Sequence, residues 1–323
     1  MKSMLKRSVV AALSVGVAAG LTLGAAPAAN AASDIVFIQG VKGDGFYITM
    51  DCGVKAAAKK AGVKVKTVGP AKFDATLQKP ILDSIVAGNP GAILIAPNDV
   101  NAMQKPLEKA AKKGIEIVLV DTTVKKPKFA ASAISSNNFA GGKEAFNAVK
   151  RLVPGGGKVM GIGVRPGIST TDARDSGFKS AVAKSGGLFT FISQEYSENE
   201  PSKAAQITTA AIAANPDLKA IFASNLFSAQ GAATGIKQAG KVGEIVVIGF
   251  DAGPDQVKAL KAGTVQALIA QSPYDIGSKA VKQAVKAMAG KKTKKKMTTG
   301  FTILTAGNVN TKAGKAAQYL SKC

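Results

Sequence analysis

Short runs of β-branched and apolar residues alternate with longer alanine-rich stretches along most of this chain. Residues 35–38 read as a buried strand, followed by a glycine-rich loop and a helix over about 48–61. The pattern repeats as strand 63–68, helix 77–87, strand 92–96, helix 102–113 and strand 115–120. Gly62, Gly88 and Gly114 stand where these helices should stop, since glycine adopts the helix-ending left-handed conformation at little cost. Apolar strands separated by helices predict a mostly parallel sheet covered on both faces.

The rhythm then restarts. Helix 139–152, the turn Gly155-Gly156-Gly157, strand 158–163, helix 172–184 and strand 188–194 are followed by helix 203–214 and strand 220–223. Helix 229–239, strand 245–249, a short helix 255–262 and strand 265–270 come next. Helix 276–289, a lysine-rich loop and strand 301–304 close the series. These are too many strands for one ordinary doubly wound sheet, and two similar α/β lobes account for them better. Ligands of such sheets bind beyond the carboxyl ends of the strands, so two lobes facing each other there make a cleft. That rule singles out Gly43-Asp44-Gly45-Phe46-Tyr47, Asp121-Thr122, Arg165, Asn225, Phe250-Asp251 and Gln271.

A different pattern occupies the first 31 residues. Lys2, Lys6 and Arg7 precede an apolar stretch from about Val9 to Ala26, and Ala29-Asn30-Ala31 supplies a small-x-small motif. This is the layout of a cleaved export signal. A membrane anchor fits less well, because glycines interrupt the run and a polar, globular-looking sequence follows. No cysteine stands at the cleavage point for lipid attachment, so a soluble protein outside the cytoplasmic membrane is expected, periplasmic or secreted. Its 292 residues are enough for two domains.

Three of the 23 net positive charges lie in the leader, leaving about +20. Nucleic acid is not the expected partner. The lysines are spread over helical segments, and the dense run Lys291-Lys292-Thr293-Lys294-Lys295-Lys296 has no interleaved aromatic side chain to stack bases. That run reads as a solvated loop, with an anionic surface as the rival reading. There is no histidine, which excludes His-based triads and His-containing metal sites. The triple glycine precedes a strand, so it is not a phosphate-cradling P-loop. No enzyme, cofactor or metal is expected. Cys52 and Cys323 leave two readings open: a disulfide closing a very long loop, or a small buried residue and a free thiol on a tail.

From about Asp34 to Leu304 the chain resembles periplasmic solute-binding proteins of the ribose-binding type, relatives of the sensor domains of LacI-class repressors. The resemblance rests on Ser136-Asn137-Asn138 with Gly141-Gly142, on Ala173-Arg174-Asp175-Ser176-Gly177-Phe178, and on Phe222-Ala223-Ser224-Asn225. Val246-Val247-Ile248-Gly249-Phe250-Asp251 and Ile269-Ala270-Gln271-Ser272-Pro273 complete it. It implies the type I periplasmic binding protein fold, two doubly wound lobes joined by three hinge crossovers near Ser135, Gln271 and Gly300. The first lobe would comprise residues 32–135 and 272–299, the second 136–270 and 300–323. The tail 306–323 lies beyond the resemblance, and a Cys52–Cys323 bridge would require it to return to the first lobe.

The resemblance also implies a monomer that captures a small polar solute, foremost a sugar, by lobe closure and delivers it to an ABC transporter permease. Phe46 and Tyr47 match an aromatic pair packing on the sugar ring, with Asp44 beside them. Asp121 matches an acceptor for sugar hydroxyls, Arg174 a two-donor partner, and Asn225, Asp251 and Gln271 further polar contacts. Glu198 or Asn199 lies near another contact. Residue chemistry agrees: hydroxyls both donate and accept, so a polyol site needs carboxylates as well as Arg or Asn. Plainer roles stay open, with Phe46 and Tyr47 as core residues, Asp121 and Asp251 as turn caps, and Arg174 in a surface ion pair. Asp121 and Asp251 as a catalytic carboxylate pair is the weaker reading.

Several positions depart from the family pattern. Thr122 follows Asp121 where an arginine is frequent, Leu226-Phe227 follow Asn225 where an acid is frequent, and Gln39-Gly40 end the first strand. These changes suggest a less hydroxylated ligand, with Arg165 replacing the missing donor. Arg165 beside Arg174 would also suit an acidic sugar. Another client, an amino acid or furanose signal, or service to a sensor instead of a permease, is the alternative.

Overall fold

Among the described residues, 35–323 of a computed structural model, twelve strands form two six-stranded sheets. The leader expected over 1–31 lies outside the described residues. The first sheet contains β1 (Ile35–Ile38), β2 (Val65–Val68), β3 (Ala92–Ile95), β4 (Glu116–Val120), β5 (Ser132–Ser136) and β11 (Lys296–Thr299). All are parallel, in the order β11-β5-β4-β3-β1-β2. The second contains β6 (Gly157–Gly163), β7 (Phe189–Tyr196), β8 (Leu218–Ala223), β9 (Val246–Phe250), β10 (Ala267–Gln271) and β12 (Phe301–Leu304). Its order, β12-β10-β9-β8-β6-β7, repeats that of the first, and only β12 is antiparallel. The architecture is the two-lobed α/β fold of type I periplasmic binding proteins.

The central strands are apolar and buried on both faces, as helices on both sides of a parallel sheet require. Helix α1 (Gly45–Ala61) starts at Asp44, whose carboxylate accepts the Phe46 amide, and stops at Gly62 in the left-handed conformation. In the second lobe, α4 (Asn138–Leu152) crosses α5 (Ser169–Ala183) at glycines. A Cβ on Gly142 would lie 1.9 Å from the Arg174 carbonyl oxygen, and one on Gly177 2.1 Å from that of Phe139. Backbone-to-backbone packing therefore fixes where Arg174 emerges. Behind it, Phe178 stacks on Phe222 at 4.8 Å and meets Phe146 edge-on at 5.8 Å.

The chain passes between the sheets three times: from β5 into α4, from β10 into α9 (Pro273–Met288), and from β11 through Gly300 into β12. Helix α9 packs on α1 and β4, so residues 273–299 belong with the first sheet. After α10 (Lys312–Ala316) the terminal residues run from one lobe to the other. The Tyr319 amide donates to the Ala252 carbonyl, the Leu320 amide to Thr49 Oγ1, and Cys323 is disulfide-bonded to Cys52 of α1. Strands β5 and β11 and helix α10 have no counterpart among the elements the hydrophobic pattern predicts. No helix among the described residues is long and apolar enough to cross a membrane.

Candidate ligand-binding cleft

Each lobe delivers an aspartate to the cleft by the same device. Asp121 follows β4 and Asp251 follows β9, strands occupying equivalent places in the two sheets. Both adopt left-handed backbone, φ 60° and 78°, which is unfavourable for a side chain other than glycine or asparagine-like residues. Each amide is held by the neighbouring strand: Asp121 donates to the Ile134 carbonyl and Asp251 to that of Ile269. The turn drives the carboxylate out beyond the sheet. A third acid, Asp44, stands at the start of α1. All three are buried, and each has one oxygen engaged by a protein donor. Tyr47 Oη donates to Asp121 Oδ2 at 2.9 Å, the Phe46 amide to Asp44 Oδ1 at 2.8 Å, and Gln271 Nε2 to Asp251 Oδ1 at 2.8 Å.

Arg174 faces these acids from α5 and is 3% exposed, so it is no surface ion pair. Its Nε donates to Asn138 Oδ1 and its Nη1 to the Ser224 carbonyl, both at 2.9 Å, while the guanidinium lies 3.8 Å from the centre of the Phe250 ring. Phe250 does not line the cleft; it is the platform under Arg174. Asn225 caps α7 (Leu226–Gln238) through the Ser228 amide and donates from Nδ2 to Asn199 Oδ1 at 2.6 Å. Together Asp44, Phe46, Tyr47, Asp121, Arg174, Asn225, Asp251 and Gln271 bound a space of about 400 Å³, its mouth included.

Six further residues complete the lining: Phe73, Val164, Ile168, Thr170, Thr171 and Asn199. Of the two neighbouring positions the resemblance offers for a further contact, Glu198 and Asn199, it is Asn199 that lines the cleft. Phe73 is an aromatic on the loop after β2, and Thr170-Thr171 open α5, so the strand-end and helix-start rules that found the others point to these too.

Thr122 and Arg165 stand outside the lining. Thr122 is buried, with Oγ1 lacking a partner among the described residues. Arg165 reaches across to the first lobe, where Nη2 donates to the Asn98 carbonyl at 3.0 Å and the Phe73 carbonyl at 3.3 Å. It therefore forms no pair with Arg174 around an acidic ligand. Besides the Leu320–Thr49 bond, polar contacts between the lobes include Val100 N–H to the Gly167 carbonyl, Thr123 N–H to Ser169 Oγ, and the exposed Lys72–Glu200 ion pair. Leu226 and Phe227 also differ from the sequence expectation. Both pack with the second-lobe core and neither lines the cleft, so they offer no argument for a poorly hydroxylated ligand. Gly40 has a geometric reason: a Cβ there would lie 2.4 Å from Tyr47 Oη. The glycine clears the path by which Tyr47 reaches Asp121.

Burial governs the electrostatics. It pushes the Asp44 carboxyl up to about 7, with the nearby Asp251 charge adding to the effect. It raises Asp121 to about 6, against the opposing pull of Arg174 and the Tyr47 hydroxyl. The Tyr47 hydroxyl is held well above its ordinary range by burial and by Asp121, so it remains a donor. Three acids face one guanidinium, so carboxyl groups outnumber cationic donors in the cleft.

The chain belongs to the periplasmic binding protein family: a family profile described as "Periplasmic binding protein domain" matches residues 35–292. This is a family of non-catalytic solute-binding proteins. The chain is 31% identical to a ribose import binding protein of Salmonella typhimurium over 282 residues, 85% of this chain and 92% of that one. Among solved structures it resembles an ABC transporter solute-binding protein from Agrobacterium vitis bound with α-D-tagatopyranose. That match has 39% identity and TM-score 0.87, covering 89% of this chain and 99% of the other. A carbohydrate transporter solute-binding protein from Agrobacterium radiobacter in complex with D-arabinose gives 29% identity and TM-score 0.85, covering 89% and 99%.

Proposed function

We propose that this protein captures a neutral monosaccharide outside the cytoplasmic membrane, as a monomer, and delivers it to an ABC transporter permease. The observation that carries this reading is the cleft chemistry: three buried carboxylates, each with one oxygen already engaged, converge opposite a single guanidinium. A ring bearing several hydroxyls supplies the donors those acids lack and accepts from Arg174. Phe46 and Phe73 offer apolar faces for the C–H face of such a ring. Gln271 Oε1, buried without a partner among the described residues, adds an acceptor on the same wall. A sugar acid would bring a further negative charge into a cleft where burial already disfavours the ionised forms of Asp44 and Asp121. The sugars named for similar proteins support this choice, and the export-signal pattern read in residues 1–31 supports the location.

Closure around the ring would remove its hydroxyls from water and complete contacts from both lobes, so ligand favours the closed arrangement by its tighter binding there. The test is a thermal-shift and calorimetric panel of D-ribose, D-tagatose, D-arabinose, sugar acids and amino acids. A saturable gain for a neutral sugar is expected, worth about 2.7 kcal/mol at a hundredfold excess over Kd. Tighter binding of a sugar acid or amino acid than of any neutral sugar would reject the reading.

A further inference from the structure

The C-terminal segment makes contacts that neither the fold nor the disulfide alone requires. Tyr319 is 5% exposed and sits between the lobes. Its hydroxyl accepts the Gln271 amide at 2.9 Å and donates to Asp251 Oδ1 at 3.0 Å. Its ring lies 5.8 Å from that of Phe46, and its own amide donates to the Ala252 carbonyl at 2.9 Å. One residue later the chain is held by the opposite lobe, where the Leu320 amide meets Thr49 Oγ1 at 2.7 Å. Three residues beyond that, Cys323 is covalently fixed to Cys52 on α1. The segment from Tyr319 to Cys323 thus spans from the left-handed corner of Asp251 to the helix that carries Phe46 and Tyr47.

We infer that this segment is a working part of the binding site: a strap, pinned to the first lobe by Cys52–Cys323, that presents the Tyr319 hydroxyl to Asp251 and holds that carboxylate in its ligand-binding orientation. The inference rests on the cleft being the site of sugar capture. Tyr319 is a positioning residue here, because it acts through Asp251. Two donors, Gln271 Nε2 and Tyr319 Oη, converge on the same oxygen, Oδ1, and this fixes the rotation of the carboxyl group. A four-residue link spans at most ~14 Å, so the strap also bounds how far Asp251 can swing from α1. Burial and the Asp251 charge keep the phenol protonated far above neutral pH, so the donor persists across physiological conditions.

The experiment uses the oxidised full-length mature protein and two changes, Tyr319→Phe and C52S/C323S, alone and combined. D-ribose, D-tagatose and D-arabinose are titrated calorimetrically into each. For a sugar that binds the parent, Tyr319→Phe is expected to weaken affinity about tenfold, the loss of one hydrogen bond to a charged group. C52S/C323S is expected to weaken it as well, although neither cysteine lines the cleft. The combined variant should lose less than the product of the two factors, because both act through one hydroxyl. Multiplicative losses, or unchanged affinity in Tyr319→Phe, would overturn the strap. A second readout needs no sugar: amide hydrogen exchange at Gln271 should quicken in both variants, since its acceptor is removed or released. Unchanged exchange would count equally against it. Should no sugar bind the parent protein, the capture reading fails and the strap is judged on exchange alone. If C52S/C323S does not fold, Tyr319→Phe in the oxidised protein still decides.

Discussion

Removing the Arg165 guanidinium tests whether lobe closure has a dedicated latch. Arg165 is half-buried, and Nη2 serves two first-lobe carbonyls, a sound bond to Asn98 at 3.0 Å and a marginal one to Phe73 at 3.3 Å. A hydrogen bond from a charged donor contributes about 1.5–3 kcal/mol, and partial exposure argues for the lower end. Arg165→Ala should therefore disfavour the closed arrangement by about 1.5 kcal/mol, roughly tenfold in its equilibrium. When the binding-competent form is a minor species, apparent Kd scales inversely with its population. Every ligand should then lose affinity by the same factor, near tenfold, whatever its chemistry. Val100–Gly167 and Thr123–Ser169 remain in place, so closure is weakened without being abolished. Arg165→Lys, which keeps a cationic donor group on a flexible stem, should recover part of the loss. Calorimetric titration of two different sugars into each variant decides the matter. Losses differing severalfold between sugars would mean that the guanidinium touches ligand, and no loss at all would refute the latch.

Further predictions concern the acids and the helix crossing. Folded Asp44 and Asp121 hold protons to about 7 and 6, against 3.8 in the unfolded chain, so the ligand-free native state binds more protons between those values. The contribution of these groups to stability should be full below about pH 4 and be lost as pH rises from 4 to 7, which denaturant titrations across that span would show. Asp44→Asn keeps a helix-capping oxygen but cannot ionise; it should stabilise the sugar-free protein at pH 8 by about 2–4 kcal/mol while weakening sugar binding. Equal or lower stability at pH 8 would contradict the burial argument. Asp121→Asn should cost about 10- to 100-fold in affinity for a neutral sugar, since a charged acceptor becomes a neutral amide. Gly142→Ala should destabilise the fold by about 1–3 kcal/mol by driving α4 off α5, read as a lowered melting temperature.

Most of the fold is legible in the chain because the central strands are continuous apolar runs and the helices end at Gly62, Gly88 and near Gly114. Strands β5 and β11 escape that reading for definite reasons. Ser132–Ser136 contains one large apolar residue, Ile134, and its burial alternates, while β11 is an edge strand that begins in a lysine run. Pairing supplies what their composition lacks: Met297 aligns with Ile134, and Ser136 Oγ meets Thr299 Oγ1. The acids of the cleft are legible because strand ends are where such folds place ligand contacts. Leu226 and Phe227 illustrate the limit, since position after Asn225 does not reveal which way the first turn of α7 faces. Tyr319 is harder still. Its place depends on a covalent bond between residues 271 positions apart, and no local pattern encodes that proximity.

The separation of basic residues from the acidic cleft follows from one topological fact. In parallel α/β lobes the helices start at the carboxyl ends of the strands, on the cleft side, and finish at the far poles. Partial positive charge at helix starts favours acids, and partial negative charge at helix ends favours bases. The sequence obeys both preferences: Asp44, Asp74, Asp172, Asp255 and Asp275 stand at or within the first turns of their helices. Lys59, Lys60, Lys109, Lys112, Lys150, Arg151, Lys258, Lys261 and Lys286 occupy last turns. The lysine run before β11 lies at the same pole, because β11 is parallel to its neighbours. At physiological ionic strength, charges further apart than about 8 Å are largely screened across solvent. The poles therefore set the overall charge of the molecule, while Asp44, Asp121, Asp251 and Arg174 set the chemistry that a ligand meets.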